Sequence, residues 1–176
     1  MSLVNRLLGY STDELRHDIR RDAGAAARRR RGVVVASLLG IAAIGATTLL
    51  QMGLVRRLPD PPVRGFKTKH VNLSDEAFSY GRPDSPVVVF AHAFNMVLAA
   101  TGGCDRARRA PLVPLLAGTI AGAQAAMAAK YLFHDMPYVD EAWCPYCITD
   151  ALTHFTTFGL TLPEAIEASR ILRGRF

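Results

Sequence analysis

The sequence predicts an all-α integral membrane protein, a four-helix bundle preceded by an N-terminal amphipathic interfacial helix. Three observations carry this prediction. Half of the 176 residues are hydrophobic and only 20% are charged, the apolar residues gather into long runs, and the basic residues stand in blocks beside those runs. A net charge of +6 would suit nucleic acid if it covered one face, but blocks at the ends of apolar segments suit a lipid bilayer better and argue for no nucleic-acid partner. A chain of this length is expected to form one domain.

Residues 1–31 read as a cytoplasmic basic and amphipathic segment. Leu3, Val4, Leu7 and Leu8 form an apolar patch, and Ser11 and Glu14 have capping-box spacing ahead of Leu15 and Ile19, which predicts a short helix. The polar face of this helix and the run Arg28 to Arg31 suit anionic headgroups; a solvated helix ending in a charge block is the alternative. The first long apolar run begins only after Arg31, without the short core and cleavage site of a signal peptide, so it is expected to be retained.

The transmembrane domain is placed at 32–163, with spans at 32–55, 85–103, 110–130 and 143–162. No residue from Gly32 to Val55 is charged, and that run exceeds the about 20 residues needed to cross hydrocarbon. Pro59, Pro61 and Pro62 then break any helix and open an outer connector, 56–84, in which Asn72 to Tyr80 is expected to form a short helix. The second span needs Ser85-Pro86 and Gly102-Gly103 to reach spanning length. The fourth begins at Trp143 and contains Asp150 and His154, and residues 164–176 are left as a cytoplasmic tail. Drawn alternately, the spans leave two-thirds of the 21 Lys and Arg on the side of both termini, although the basic residues from Arg56 to Lys69 oppose this. The positive-inside rule then puts both termini in the cytoplasm and Cys144 and Cys147 on the outer, disulfide-permissive face.

Cys144-Pro145-Tyr146-Cys147 is the one chemically loaded motif. Two cysteines at this spacing can close a small disulfide, and the unpaired N–H groups of a helix start stabilise a thiolate. Pro145 suits the first helical turn, and Trp143 can roof the pair. Zinc would need four ligands; His134 and Asp140 could complete a site on paper, but no second cysteine pair exists and no metal is assigned. A thioredoxin-like domain is a poor fit because no short strands alternate with helices. Cys104 lies at the other end and is read as a surface thiol.

Along the fourth span Cys147, Asp150, His154 and Thr157 recur at helical spacing on one face. A carboxylate and an imidazole inside a membrane helix point to function. Asp150, one turn from Cys147, is the candidate to take or pass a proton; alternatively it lies near the interface and His154 bonds a neighbouring helix. His92 and Asn95 share a face of the second span, where Gln124 could meet them. Such groups can bind a quinone oxygen or act as glue between helices.

The segment Val71-Asn72-Leu73-Ser74-Asp75-Glu76-Ala77-Phe78-Ser79-Tyr80-Gly81-Arg82-Pro83, together with Cys144-Pro145-Tyr146-Cys147 opening a threonine-rich apolar helix, resembles the bacterial branch of the vitamin K epoxide reductase family. The likeness covers about residues 33 to 163. It implies a membrane thiol–disulfide oxidoreductase in which Cys147 faces a quinone (ubiquinone or menaquinone) and Cys144 exchanges disulfides with a thioredoxin-like dithiol protein. Cys144, Cys147 and Asp150 would then be catalytic, and His92, Asn95 and His154 would bind the quinone. The implied location is the bacterial inner membrane. The chain departs from the family in lacking the usual cysteine pair in the connector, and in having Ala151 where animal members carry a tyrosine. A non-catalytic accessory or assembly subunit of a larger membrane complex is the alternative reading. A channel is disfavoured by the scarcity of charge within the spans.

Overall fold

The computed structural model describes residues 9–174, whose regular structure is all helical, with no strand among them. The apolar patch expected at Leu3 to Leu8 lies outside the described residues. Helix α1, Thr12–Arg21, starts as the capping spacing predicts, with the Glu14 amide donating to Ser11 Oγ at 3.1 Å. It buries none of its own residues. It is tied to the bundle at its flank: Tyr10 is buried and donates to Asp105 (2.7 Å), and Glu14 pairs with Arg109 (3.0 Å).

Helix α2, Ala25–Gln51, is displaced from the expected 32–55. It begins earlier because Arg28 to Arg31 are helical, and three of these arginines donate to backbone carbonyls, Arg28 to that of Ala23 at 3.0 Å. Arg30 is buried and donates to the Gly102 carbonyl at 2.9 Å, and Arg31 donates to the carbonyls of Ile19 and Asp22. It ends at Gln51 because Gly53 turns the chain with φ of +74°. The connector helix is also displaced. Helix α3 occupies Thr68–Asn72, its start fixed by Asp60, which accepts from both the amide and the hydroxyl of Thr68, and of the expected stretch beyond Asn72 only Glu76–Phe78 coils, as a single 3₁₀ turn.

Helix α4, Ser85–Ala100, stops short of the expected residue 103 because Gly102 adopts a positive φ and starts a turn. Helix α5, Arg106–Arg109, follows, and then α6, Leu112–Lys130. Instead of a connector after Lys130, the helix widens into π turns over Tyr131–Val139, as in the bond from the Asp140 amide to the Asp135 carbonyl. Helix α7, Pro145–Arg173, runs well past the expected end at 162, in spite of Pro163. The supposed tail is helical because it is held: Glu164 takes two bonds from Arg106 (2.8 and 2.7 Å), and Ala165 and Ala168 are buried.

The bundle places α7 between α2 and α6, and α4 packs on α2 and touches α6, with its His92 reaching Asp150 of α7. Large apolar side chains crowd its surface, and many polar side chains are gathered inside beside the apolar ones. Val35, Phe90, Val97, Leu116 and Leu152 are each about half exposed or more, whereas Ser37, Thr47, His92, Asn95, Asp150, His154 and Thr157 are buried. That arrangement suits hydrocarbon, where polar groups must be satisfied inside the bundle. Helices α2 and α6 with its π extension are long and apolar enough to cross a membrane; α4 spans about 24 Å by its 16 residues.

Close approach of helices depends on small residues. A Cβ on Gly40 of α2 would collide with the His92 ring and with Thr153 Oγ1, whereas one on Gly45 would meet nothing. Gly40→Ala is therefore expected to destabilise by about 1–3 kcal/mol through overpacking. Gly45→Ala should be neutral or stabilise by up to about 1 kcal/mol, and thermal melts in detergent that failed to separate the two would contradict this packing. At the α1 end, Cys104 is exposed and its thiol donates to Asp18 Oδ2 at 3.2 Å. That hydrogen bond, followed by burial, pushes the Cys104 pKa up, which reduces the reactive thiolate. Asp18→Asn should return it toward its ordinary value and speed maleimide labelling of Cys104 severalfold at pH 8; equal rates would rule the effect out.

Candidate functional site

The Cys-Pro-Tyr-Cys sequence forms the start of α7. Cys144 is the N-cap, in extended conformation, Pro145 takes the first helical position where no N–H is needed, and the Cys147 amide donates back to Cys144 Sγ at 3.2 Å. The two cysteines are joined in a disulfide. The pair is enclosed: Cys144 is 0% and Cys147 5% exposed, among Val71, Leu132, Met136, Ala142 and Ala151.

Two segments hold this pocket shut. The Trp143 amide donates to the Gly65 carbonyl, and the Trp143 carbonyl accepts from the Lys67 amide, each at 2.9 Å. The connector thus straps across the residue before Cys144. Below it, the widened turns of the α6 extension supply Leu132 and Met136. Trp143 itself is partly buried against the cluster, in agreement with its expected place over the pair.

Asn72, at the end of α3, is a residue that the reading of the sequence did not single out for chemistry. Its Nδ2 lies 3.3 Å from Cys144 Sγ and 3.6 Å from Cys147 Sγ, and also donates to the Thr68 carbonyl. An amide N–H shared between both sulfurs can stabilise whichever becomes a thiolate. The only signal for it in the sequence was its place in the connector segment that carries the resemblance.

One turn beyond Cys147 lies a second constellation. Asp150 Oδ1 is 2.7 Å from His92 Nε2, and Oδ2 is 3.6 Å from His154 Nε2. The two imidazoles stack with centroids 4.3 Å apart and an 18° interplanar angle. All three residues are buried, and both Nδ1 atoms have no hydrogen-bond partner. Stacked rings direct their Nε2 atoms side by side at one carboxylate. An ion would need them to converge at a tetrahedral or octahedral angle, so the arrangement suits proton sharing better than coordination. Asn95 does not join the cluster, since its amide donates to Gln124 Oε1 at 2.7 Å, which is the meeting that the sequence suggested. His134 is engaged by Asp135 at 2.9 Å, and the Asp140 carbonyl by His70 at 3.1 Å.

The fold and this site define a helical membrane protein with a buried Cys-x-x-Cys disulfide at the head of a spanning helix. A family model, the Vitamin K epoxide reductase family, matches residues 32–162, and the chain belongs to that family. No curated protein and no solved structure matches it. Membership makes it an integral membrane protein of a family of thiol–disulfide oxidoreductases linked to quinones. The chemistry of the residues around the pair fits a quinone: the Asn72 amide can donate to a carbonyl oxygen, and Val71, Met136 and Ala151 offer apolar surface for its ring.

Removing the Asn72 amide leaves a thiolate without its side-chain donor, a loss of about 1.5–3 kcal/mol for a bond to a charged group. In the reduced protein Asn72→Ala should raise the pKa of the more reactive cysteine by one to two units. The pH dependence of its alkylation measures this, and an unchanged profile would exclude the role.

Proposed function

We propose that this chain is a thiol–disulfide oxidoreductase of the bacterial inner membrane that couples the Cys144–Cys147 pair to quinone reduction and reoxidises a thioredoxin-like dithiol protein on the outer face. The observation that carries this reading is the disulfide at the α7 N-terminus, with Asn72 bridging both sulfurs. Its orientation rests on charge: Arg28 to Arg31, Arg170 and Arg173, which flank a membrane domain of 32–163, and Arg106, Arg108 and Arg109 in its second turn stand on the segments expected in the cytoplasm.

The chemistry begins when a partner thiolate attacks Cys144 Sγ. The Cys144–Cys147 bond breaks, a mixed disulfide forms, and Cys147 leaves as a thiolate held by the helix N-terminus and Asn72. A second partner thiolate attacks the partner's own sulfur in the mixed disulfide, so the partner becomes a disulfide and Cys144 is released. When bound, a quinone accepts the two electrons of the reduced pair. Asp150, with His92 and His154 behind it, holds and passes protons beside Cys147. For a partner to reach Cys144, which is wholly buried, the Gly65–Lys67 strap must lift.

That burial, and a connector without cysteines, favour the second reading, a non-catalytic subunit of a larger membrane complex that keeps the fold. Mass-tagging with a maleimide separates the two. Reduced protein given a soluble ubiquinone or menaquinone should lose both reactive thiols of the pair, and Cys147→Ala should abolish that loss. If quinone leaves the pair reduced, the oxidoreductase reading fails and the subunit reading takes its place.

A further inference from the structure

The polar face of α7 does not stop at the site. Cys147, Asp150, His154, Thr157, Thr161 and Glu164 recur at steps of three and four residues, so they form one stripe along the helix. From Asp150 to Glu164 the stripe covers about 21 Å of a hydrocarbon core of about 30 Å. Asp150, His154, Thr157 and Glu164 are all buried. A run of that length is more than one catalytic carboxylate needs.

Four buried polar atoms on α7 and on the two helices α4 and α2 of the same bundle have no hydrogen-bond partner: His154 Nδ1, Thr157 Oγ1, His92 Nδ1 and Ser37 Oγ. Leaving such groups unmet inside a bilayer costs about 1–3 kcal/mol each, so they call for a role. In both imidazoles one nitrogen faces Asp150 and the other is the unpartnered one, which is the arrangement that lets a ring take a proton on one side and give it from the other. Toward the α1 end a cavity of about 10 Å³, room for one water, is lined by Asn95, Thr161, Glu164, Arg30 and Arg106 together with apolar residues of the neighbouring helices.

We propose that this stripe is a proton path from the α1 end of the bundle to Asp150, so that the protons consumed in quinone reduction are drawn from the side of the membrane opposite the thiols. The inference rests on the oxidoreductase reading. Oxidation of a dithiol to a disulfide releases two electrons and two protons at the Cys144 end. Reduction of a quinone to the quinol takes up two electrons and two protons. If the latter protons come along α7 from the other end, each turnover separates charge across the membrane and the protein contributes to the proton gradient.

The full chain is reconstituted in vesicles with a pH-sensitive dye in the lumen, a membrane-impermeant dithiol outside and ubiquinone with a short tail in the bilayer. Molecules with the thiol end outward should turn the lumen alkaline as the dithiol is oxidised. Thr157→Val should slow that alkalinisation at least tenfold with an unchanged melting temperature, because the hydroxyl it removes has no protein partner, and Thr157→Ser should restore it. Quinol formation with no lumenal change, or a wild-type rate in Thr157→Val, would overturn the path while leaving the oxidoreductase reading intact. Failure of the wild type to oxidise the dithiol at all would overturn both.

Discussion

The constraint on which this structure depends is that α7 carries a line of polar side chains through hydrocarbon. Each of them must face protein. This forces α7 to lie with both flanks covered, and α2 and α6 supply the cover. The supply works only because small residues let the backbones approach: Gly40 leaves room for the His92 ring, and Gly118 sits where a Cβ would strike that of Ala165. Many of the larger apolar side chains, such as Val35, Phe90, Leu116 and Leu152, are then left to face outward, where the bilayer covers them.

Each end of α7 is locked by a different kind of interaction. At its start, backbone bonds between Trp143 and the connector bring Asn72 onto the sulfurs. At the other end Arg106 is almost wholly buried and makes two bonds to Glu164 and two more to the carbonyls of Leu98 and Thr101. With its donors thus met, a buried charge pair becomes tolerable. Truncating one partner would strand the other at a cost of about 3–5 kcal/mol. The α5 turn is therefore fixed to α7, and α1 is fixed to that turn through Tyr10, Asp18 and Arg109.

The family resemblance implied an electron relay through connector cysteines, which this chain does not have. What the connector provides instead is a lid over the disulfide and a side-chain amide on it. The interior of the bundle, by contrast, carries more ionisable groups than disulfide exchange alone requires. The disulfide at one end of α7 and the polar stripe that extends toward the other are the two features on which the proposed two-sided reaction rests.

The sequence by itself determined the class of fold, because runs free of charge between basic blocks admit few solutions other than spanning helices, and it determined the disulfide motif and the face shared by Cys147, Asp150, His154 and Thr157, because helical spacing is a local property. It also anticipated the N-cap at Ser11 and the meeting of Asn95 with Gln124. Only the tertiary structure decided the ends of the helices, since Arg30 and Glu164 look like solvated charges until Gly102 and Arg106 are seen beside them. It likewise decided that His92 meets Asp150 and that Asn72 reaches both sulfurs. Those contacts join residues 58 to 75 positions apart, and no periodicity within a single helix records a partner on another.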